Sequence, residues 1–273
     1  MKTSVLRSLF VVLGFASSLV ASAYADSLLL SSAAWDSQAD GSSVSSPWSN
    51  QFGGGTTPAA STVTVTTFQS AKWADINNAS TNEPVGNPTL QGNFTAFSST
   101  TDRLSISFDY IIPSNYGNGS QIQFNLNQYI SGVTTNALTI GLGRNYDHAG
   151  IYYVDSSGAR QGVGHTFTAG EAVTISLTNI SLASKTYDLS WSSSVVGTGS
   201  SGTIVGIALR NAGSISSFSY VSMGESSALS GTSEFYLRNF TATSVTSAIP
   251  ETSTIGLVFG LVVLGGAFFR RCR

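Results

Sequence analysis

The sequence predicts an all-β fold, an antiparallel β-sandwich, on three observations. Apolar and polar residues alternate with period two over many short runs, turn-forming clusters separate those runs, and no stretch keeps the three-to-four apolar spacing of an amphipathic helix beyond two turns. A helix is expected only at each end of the chain, so three parts follow: a leader over 1–25, an exported β domain over 26–246 and a C-terminal signal over 247–273.

The leader has Lys2 and Arg7 near its start, an apolar core from Leu9 to Val20 and small residues after it, the layout of a secretory signal peptide. Ala23 and Ala25 occupy the positions where signal peptidase requires small side chains, which places the cut after Ala25. The apolar core is shorter than the ~20 residues a bilayer crossing needs. The mature chain then begins at Asp26.

Between Asp26 and about Thr100 the chain is rich in Ser, Thr, Gly and Asn and reads as long connections around a few strands, notably TVTVTTF at Thr62 to Phe68. Trp35, Trp48 and Trp73 argue against a disordered stalk, because disordered segments are poor in aromatics. From Arg103 the alternation sharpens. RLSISFDYII sets Leu104, Ile106, Phe108 and Tyr110 on one face, and QIQFNLNQ does the same with Ile122, Phe124 and Leu126. ALTIGLG, AVTISLTN and TYDLSWSS continue with Leu138, Ile140 and Leu142, then Val173, Ile175 and Leu177, then Tyr187, Leu189 and Trp191. TIVGIAL reads as another strand and SEFYLRNFTATSV as the last. GTGSSG at Gly197 to Gly202 matches a dinucleotide fingerprint formally; that motif requires a following helix, and here a strand follows, so the segment is a hairpin connection.

Charge and cysteine usage exclude several function classes. The chain has 12 Lys and Arg against 14 Asp and Glu, and without its two ends it is more acidic still, about minus six. Phosphate backbones are held by clustered Lys and Arg, so nucleic acid is excluded as a partner. The single cysteine, Cys272, can form neither an intrachain disulfide nor a cysteine-based metal cage. A jelly-roll glycosidase would carry two acids a few positions apart on one strand, and no such run is present. Glu171, Glu225 and Glu234 stand singly at strand borders and read as solvated carboxylates. The domain is therefore expected to be noncatalytic.

Two short segments are candidate ligand sites. GRNYDHAG brings Arg144, Asn145, Tyr146 and Asp147 into one connection, where amide and carboxylate groups could bond sugar hydroxyls and the tyrosine could stack on a ring. DSQADG places Asp36 and Asp40 beside a glycine, an oxygen-ligand arrangement that hard cations prefer, so calcium is the one candidate cofactor.

The chain ends in Pro250, Glu251 and Thr252, an apolar run over 254–269 and a cluster of Arg270, Arg271 and Arg273. A helix over that run rises about 22 to 25 Å, short of the ~30 Å hydrocarbon layer, and crosses by local thinning with its arginines snorkelling. Arginines just after the run hold that end in the cytoplasm. This order of parts resembles the PEP-CTERM sorting signal, with Thr252 where the family usually has proline. The resemblance implies a Gram-negative exported protein, transiently anchored in the membrane, processed by the membrane protease exosortase and sorted to the cell surface or extracellular matrix. The β domain, through AAWDSQADGSSVSSPW, the central strands and EFYLRNFTATSV, resembles concanavalin-like, laminin-G-type jelly rolls. That resemblance implies contact with extracellular polysaccharide, with a carbohydrate-binding module or a polysaccharide-active hydrolase as the alternative.

Overall fold

The computed structural model describes residues 26–52, 62–78, 88–111, 121–143, 150–166, 168, 170–195, 197, 199–225 and 233–246. The leader with Ala23 and Ala25, the tail with Pro250, Glu251, Thr252, Arg270, Arg271 and Arg273, and the Arg144–Asp147 connection lie outside them. Among the described residues no helix is long and apolar enough to cross a membrane.

Among the described residues fifteen strands form one compact unit over Ser27–Val245. They are β1 (Ser27–Ser31), β2 (Trp48–Phe52), β3 (Thr62–Phe68), β4 (Ala71–Asn78), β5 (Pro88–Phe97), β6 (Arg103–Ile111), β7 (Gln121–Ile130) and β8 (Val133–Gly143). Then follow β9 (Gly150–Val154), β10 (Arg160–Gly162), β11 (Ala172–Ser181), β12 (Thr186–Ser193), β13 (Ser201–Ala208), β14 (Phe218–Glu225) and β15 (Ser233–Val245). A short 3-10 turn spans Ala33–Ser37. The eight-stranded sheet runs β13-β12-β11-β6-β15-β4-β3, with β1 also on β15; the seven-stranded sheet runs β10-β9-β8-β7-β14-β5-β2. All pairings within the sheets are antiparallel. The segment before Thr100, expected to be mostly connections, carries five strands; β4 and β5 sit inside the two sheets rather than beside them.

The alternating apolar residues of both sheets meet in one core. Leu104, Ile106, Phe108 and Tyr110 of β6 are fully buried, as are Ile122, Phe124 and Leu126 of β7. Phe108 meets Phe124 at 4.9 Å between ring centroids, and Trp48 meets Phe240 edge-on at 4.9 Å and Trp35 at 5.0 Å. Such ring pairs add about 0.5–1.5 kcal/mol each beyond the area they bury. Gly92 makes room for this cluster, since a Cβ there would lie 2.6 Å from Leu30 and 2.7 Å from the Trp48 ring.

Two asparagines in the left-handed region mark bulges. Asn179 (φ 52) interrupts β11 and Asn239 (φ 51) interrupts β15. Asparagine tolerates that conformation better than most residues, and each side chain is tied down, Asn179 donating to Asp188 at 2.7 Å and Asn239 to Asp109 at 2.7 Å.

The strand ends at Phe52 and Pro88, Gly143 and Gly150, Asn78 and Ser233, and Ile111 and Ala172 are paired neighbours at one end of the sandwich. Ser27 and Ser244 pair at the other.

Candidate functional site on the seven-stranded sheet

The same alternation that buries Leu90, Val221, Phe124, Leu126 and Ile140 turns a polar set outward. Ser49 of β2 pairs with Gln91 of β5, Gln91 with Ser222 of β14, Ser222 with Asn125 of β7, and Asn125 with Thr139 of β8. Five adjacent strands thus place a hydroxyl or carboxamide at the same height. The row above runs Thr89, Gly224, Gln123, Gly141 and Tyr152. The row below joins Tyr220 to Asn127 and Asn93. On the described strands this face carries one charged side chain, Arg160 at its edge.

Hydrogen bonds within the rows hold these groups in fixed orientations. Thr139 Oγ1 donates to Asn125 Oδ1 at 2.8 Å, Asn127 Nδ2 to Ser222 Oγ at 3.1 Å, Gln91 Nε2 to Asn93 Oδ1 at 2.9 Å and Gln123 Nε2 to the Tyr152 hydroxyl at 3.2 Å. Thr139 and Asn127 are buried, whereas Gln91, Gln123, Asn125, Tyr220 and Ser222 are half-buried and reach solvent. Asn125 accepts from Thr139 through its oxygen and retains its NH2 donors, and Gln123 donates to Tyr152 and retains its carbonyl oxygen; a carboxamide offers two donors and two acceptor lone pairs. Tyr152, 1% exposed, lies across Gly141, where a Cβ would come within 1.8 Å of the ring. Arg160 stands 5.6 Å over the same ring. On the described strands the face is therefore a lattice of fixed donors and acceptors with a single charge, Arg160, at its edge.

The other carboxylates have different settings. Glu171, expected to be a solvated border residue, is 3% exposed. His165 Nε2 bonds its Oε1, Ser193 Oγ donates to the same oxygen at 2.5 Å and the Thr168 N–H donates to Oε2 at 2.7 Å. The reading fails because the β10–β11 connection folds back on itself, setting His165 and the Thr168 N–H against Glu171 while Ser193 reaches it from β12, and strand periodicity does not reveal such a loop. Glu234 of β15 accepts from the Tyr236 hydroxyl at 2.6 Å. Burial, and then the Glu234 charge, push Asp75 on β4 up to about 7.

Asp36 and Asp40, the calcium candidates, do not form a cation cage. Asp40 pairs with Lys72 at 2.5 Å and accepts from Thr67 at 2.9 Å, and these bonds hold its carboxyl below the usual range. Asp36 is exposed in the 3-10 turn. Among the described residues there is no group of three or more His, Cys, Asp and Glu side chains able to hold a metal ion. GTGSSG does join two antiparallel strands, β12 and β13.

No protein-family model matches the chain, and no curated protein matches its sequence. Solved structures do match its fold. The catalytic domain of a GH131 β-glucanase from Podospora anserina superimposes with a TM-score of 0.51 at 13% identity, covering 80% of this chain and 98% of that one. Lectin II from Ulex europaeus gives 0.47 at 13% identity, over 73% and 93%. An endo-β-1,4-glucuronan lyase from Trichoderma reesei gives 0.45 at 10% identity, over 76% and 94%. The expectation of a noncatalytic domain is thereby corrected: a sandwich of this fold serves as a glucanase catalytic domain, so the missing acidic run excludes one catalytic pattern and not catalysis. The chain shares with that glucanase domain the fold of a two-sheet antiparallel sandwich.

Proposed function

We propose that this chain is an exported protein whose sandwich engages polysaccharide through the outer face of the seven-stranded sheet. The observation that carries the reading is the row Ser49, Gln91, Ser222, Asn125 and Thr139, aligned over five strands and stiffened by its own hydrogen bonds. Fixed polar groups bind a hydroxylated polymer at lower entropic cost than mobile ones, and a strand spacing of about 4.8 Å sets donors and acceptors at a pitch close to that of successive sugar rings. Export through the inner membrane by signal peptidase at Ala23 and Ala25, and sorting to the cell surface by an exosortase-type protease at Pro250, Glu251 and Thr252, complete the proposal; the ordered signals at both ends of the sequence support it.

The test is affinity electrophoresis of the full chain in gels cast with neutral and acidic polysaccharides. Retardation by at least one polymer that is lost in Asn125→Ala and Gln123→Ala, both still folded, is the expected result. Equal mobility in every polymer rejects the reading. Mass spectrometry of protein from its own host tests the sorting: a C-terminus near Pro250 is expected, and intact Arg273 in all copies rejects it.

A second reading, an enzyme acting on the polymer, is favoured by Tyr152. Its hydroxyl is bonded by Gln123 and its ring is overlaid by Arg160, and a positioned phenol is a proton-transfer group. Release of oligosaccharides that stops in Tyr152→Phe supports turnover.

A further inference from the structure

On the opposite sheet, β15 changes partners. Its first half, Ser233–Leu237, pairs with β4, and its second half, from Thr241, pairs with β1 on the same side. The bulge at Arg238–Thr241 falls at the changeover. Ser32 bridges it, its N–H donating to the Phe240 carbonyl at 3.0 Å and its hydroxyl accepting from the Phe240 N–H at 2.8 Å. The 3-10 turn covers the gap, and a pocket of about 190 Å³ remains, walled by Ser32, Trp35, Asp36, Lys72, Arg238 and Asn239. One water needs only ~10–15 Å³ of such space, so an organic molecule fits.

The walls present donors in excess. Trp35 is 1% exposed, and its indole Nε1–H has no acceptor among the described residues, a state that buried donors avoid. The Arg238 guanidinium carbon stands over the Trp73 ring, 4.3 Å from its centroid. It approaches Asp109 only at 3.6 Å, and its Nε has no hydrogen-bond partner among the described residues. Lys72 uses one proton on Asp40 and keeps two. Opposing them on the wall is one carboxylate, Asp36.

We propose that this pocket binds a single acidic sugar residue, its carboxylate taken by Arg238, Lys72 and the Trp35 indole N–H and its hydroxyls by Asp36 and Asn239. Arginine matches a carboxylate with paired N–H groups and supplies more than a point charge. A simple inorganic anion would meet repulsion from Asp36 with nothing gained there, whereas a uronate presents hydroxyl donors to it. The domain as a whole is acidic, so a polyanion would not be drawn by its overall field; the attraction has to be local. The choice of a sugar rests on the polysaccharide reading above, and the choice of a carboxylate rests on the pocket alone.

Titration of the full chain with glucuronate, glucose and acetate, followed through the Trp35 indole N–H resonance and by calorimetry, tests the inference. The expected result is a shift of that resonance with glucuronate, an affinity at least tenfold above those for glucose and acetate, and a tenfold or greater loss in Arg238→Gln and in Lys72→Met. Acetate binding as tightly as glucuronate, or unchanged affinity in both variants, overturns it. The resonance reports on the unaltered protein, so a variant that fails to fold does not leave the question open. Asn125→Ala separates this site from the other face: glucuronate binding lost there and kept in Arg238→Gln overturns this inference and spares the polysaccharide reading.

Discussion

Asp75 is held on the outer face of β4 beside an aromatic cluster in which Phe68 stacks on Tyr236 at 4.5 Å and Trp73 is fully buried. Its carboxyl, raised from 3.8 to about 7 by burial and by Glu234, keeps a proton in the folded state that the unfolded chain has released. Between about pH 4 and pH 7 the folded protein therefore binds more protons, so stability falls as pH rises through that window and levels off above it. For a partly exposed group the effect is on the order of 2 kcal/mol after solvent screening is allowed for. Asp75→Asn should flatten that slope, as checked by urea denaturation at about pH 5 and about pH 8. The His165–Glu171 pair acts differently. His165→Ala leaves a buried carboxylate with fewer partners, and removing one member of such a pair costs about 3 kcal/mol, which should appear as a lower urea midpoint. Neither setting is legible in the sequence: Glu234 comes near Asp75 only through the pairing of β15 with β4, and although His165 precedes Glu171 by six residues, the burial of both arises only when the connection folds onto the sheet.

At the level of elements, the connections carry as much specification as the strands. The hairpin between β3 and β4 closes on Gln69 and Ser70, both left-handed (φ 49 and 63), where glycine and asparagine fit without strain. Replacing the pair with Asn-Gly is expected to stabilise the protein by about 1 kcal/mol and to raise Tm by roughly 2–4 °C, as read by calorimetry. Strands dense in apolar and β-branched residues between turn clusters were legible residue for residue: β3, β12 and β15 fall where TVTVTTF, TYDLSWSS and SEFYLRNFTATSV place them, and β6, β7 and β11 differ by a residue or two at their ends. β4, β5 and β14 were not. AKWADINN turns Trp73 outward and Ala74 inward, PTLQGNFTAF puts a glycine under Trp48, and FSYVSMGE loses register at Phe218/Tyr220. In each, the apolar period is broken by a contact with another strand, and local pattern has no access to that.

For the molecule as a whole, the outward rows were half visible. QIQFNLNQ displays Gln123, Asn125 and Asn127 in alternation, but alternation alone does not distinguish a solvated face from a binding face. What the pattern does not give is the alignment of Asn125 with Gln91, Ser222 and Thr139, which β5, β14 and β8 bring into one row. The double variant Gln91→Ala and Ser222→Ala, altering two strands that β7 does not include, should weaken polysaccharide binding at least tenfold while leaving the melting temperature within a few degrees. Unchanged binding would confine recognition to β7.

Ser27 and Ser244 face each other across the β1–β15 ladder, so the chain enters and leaves the sandwich side by side, at the end away from the pairs Phe52–Pro88 and Gly143–Gly150. Cutting the chain back at either boundary therefore disturbs the same ladder of the same sheet.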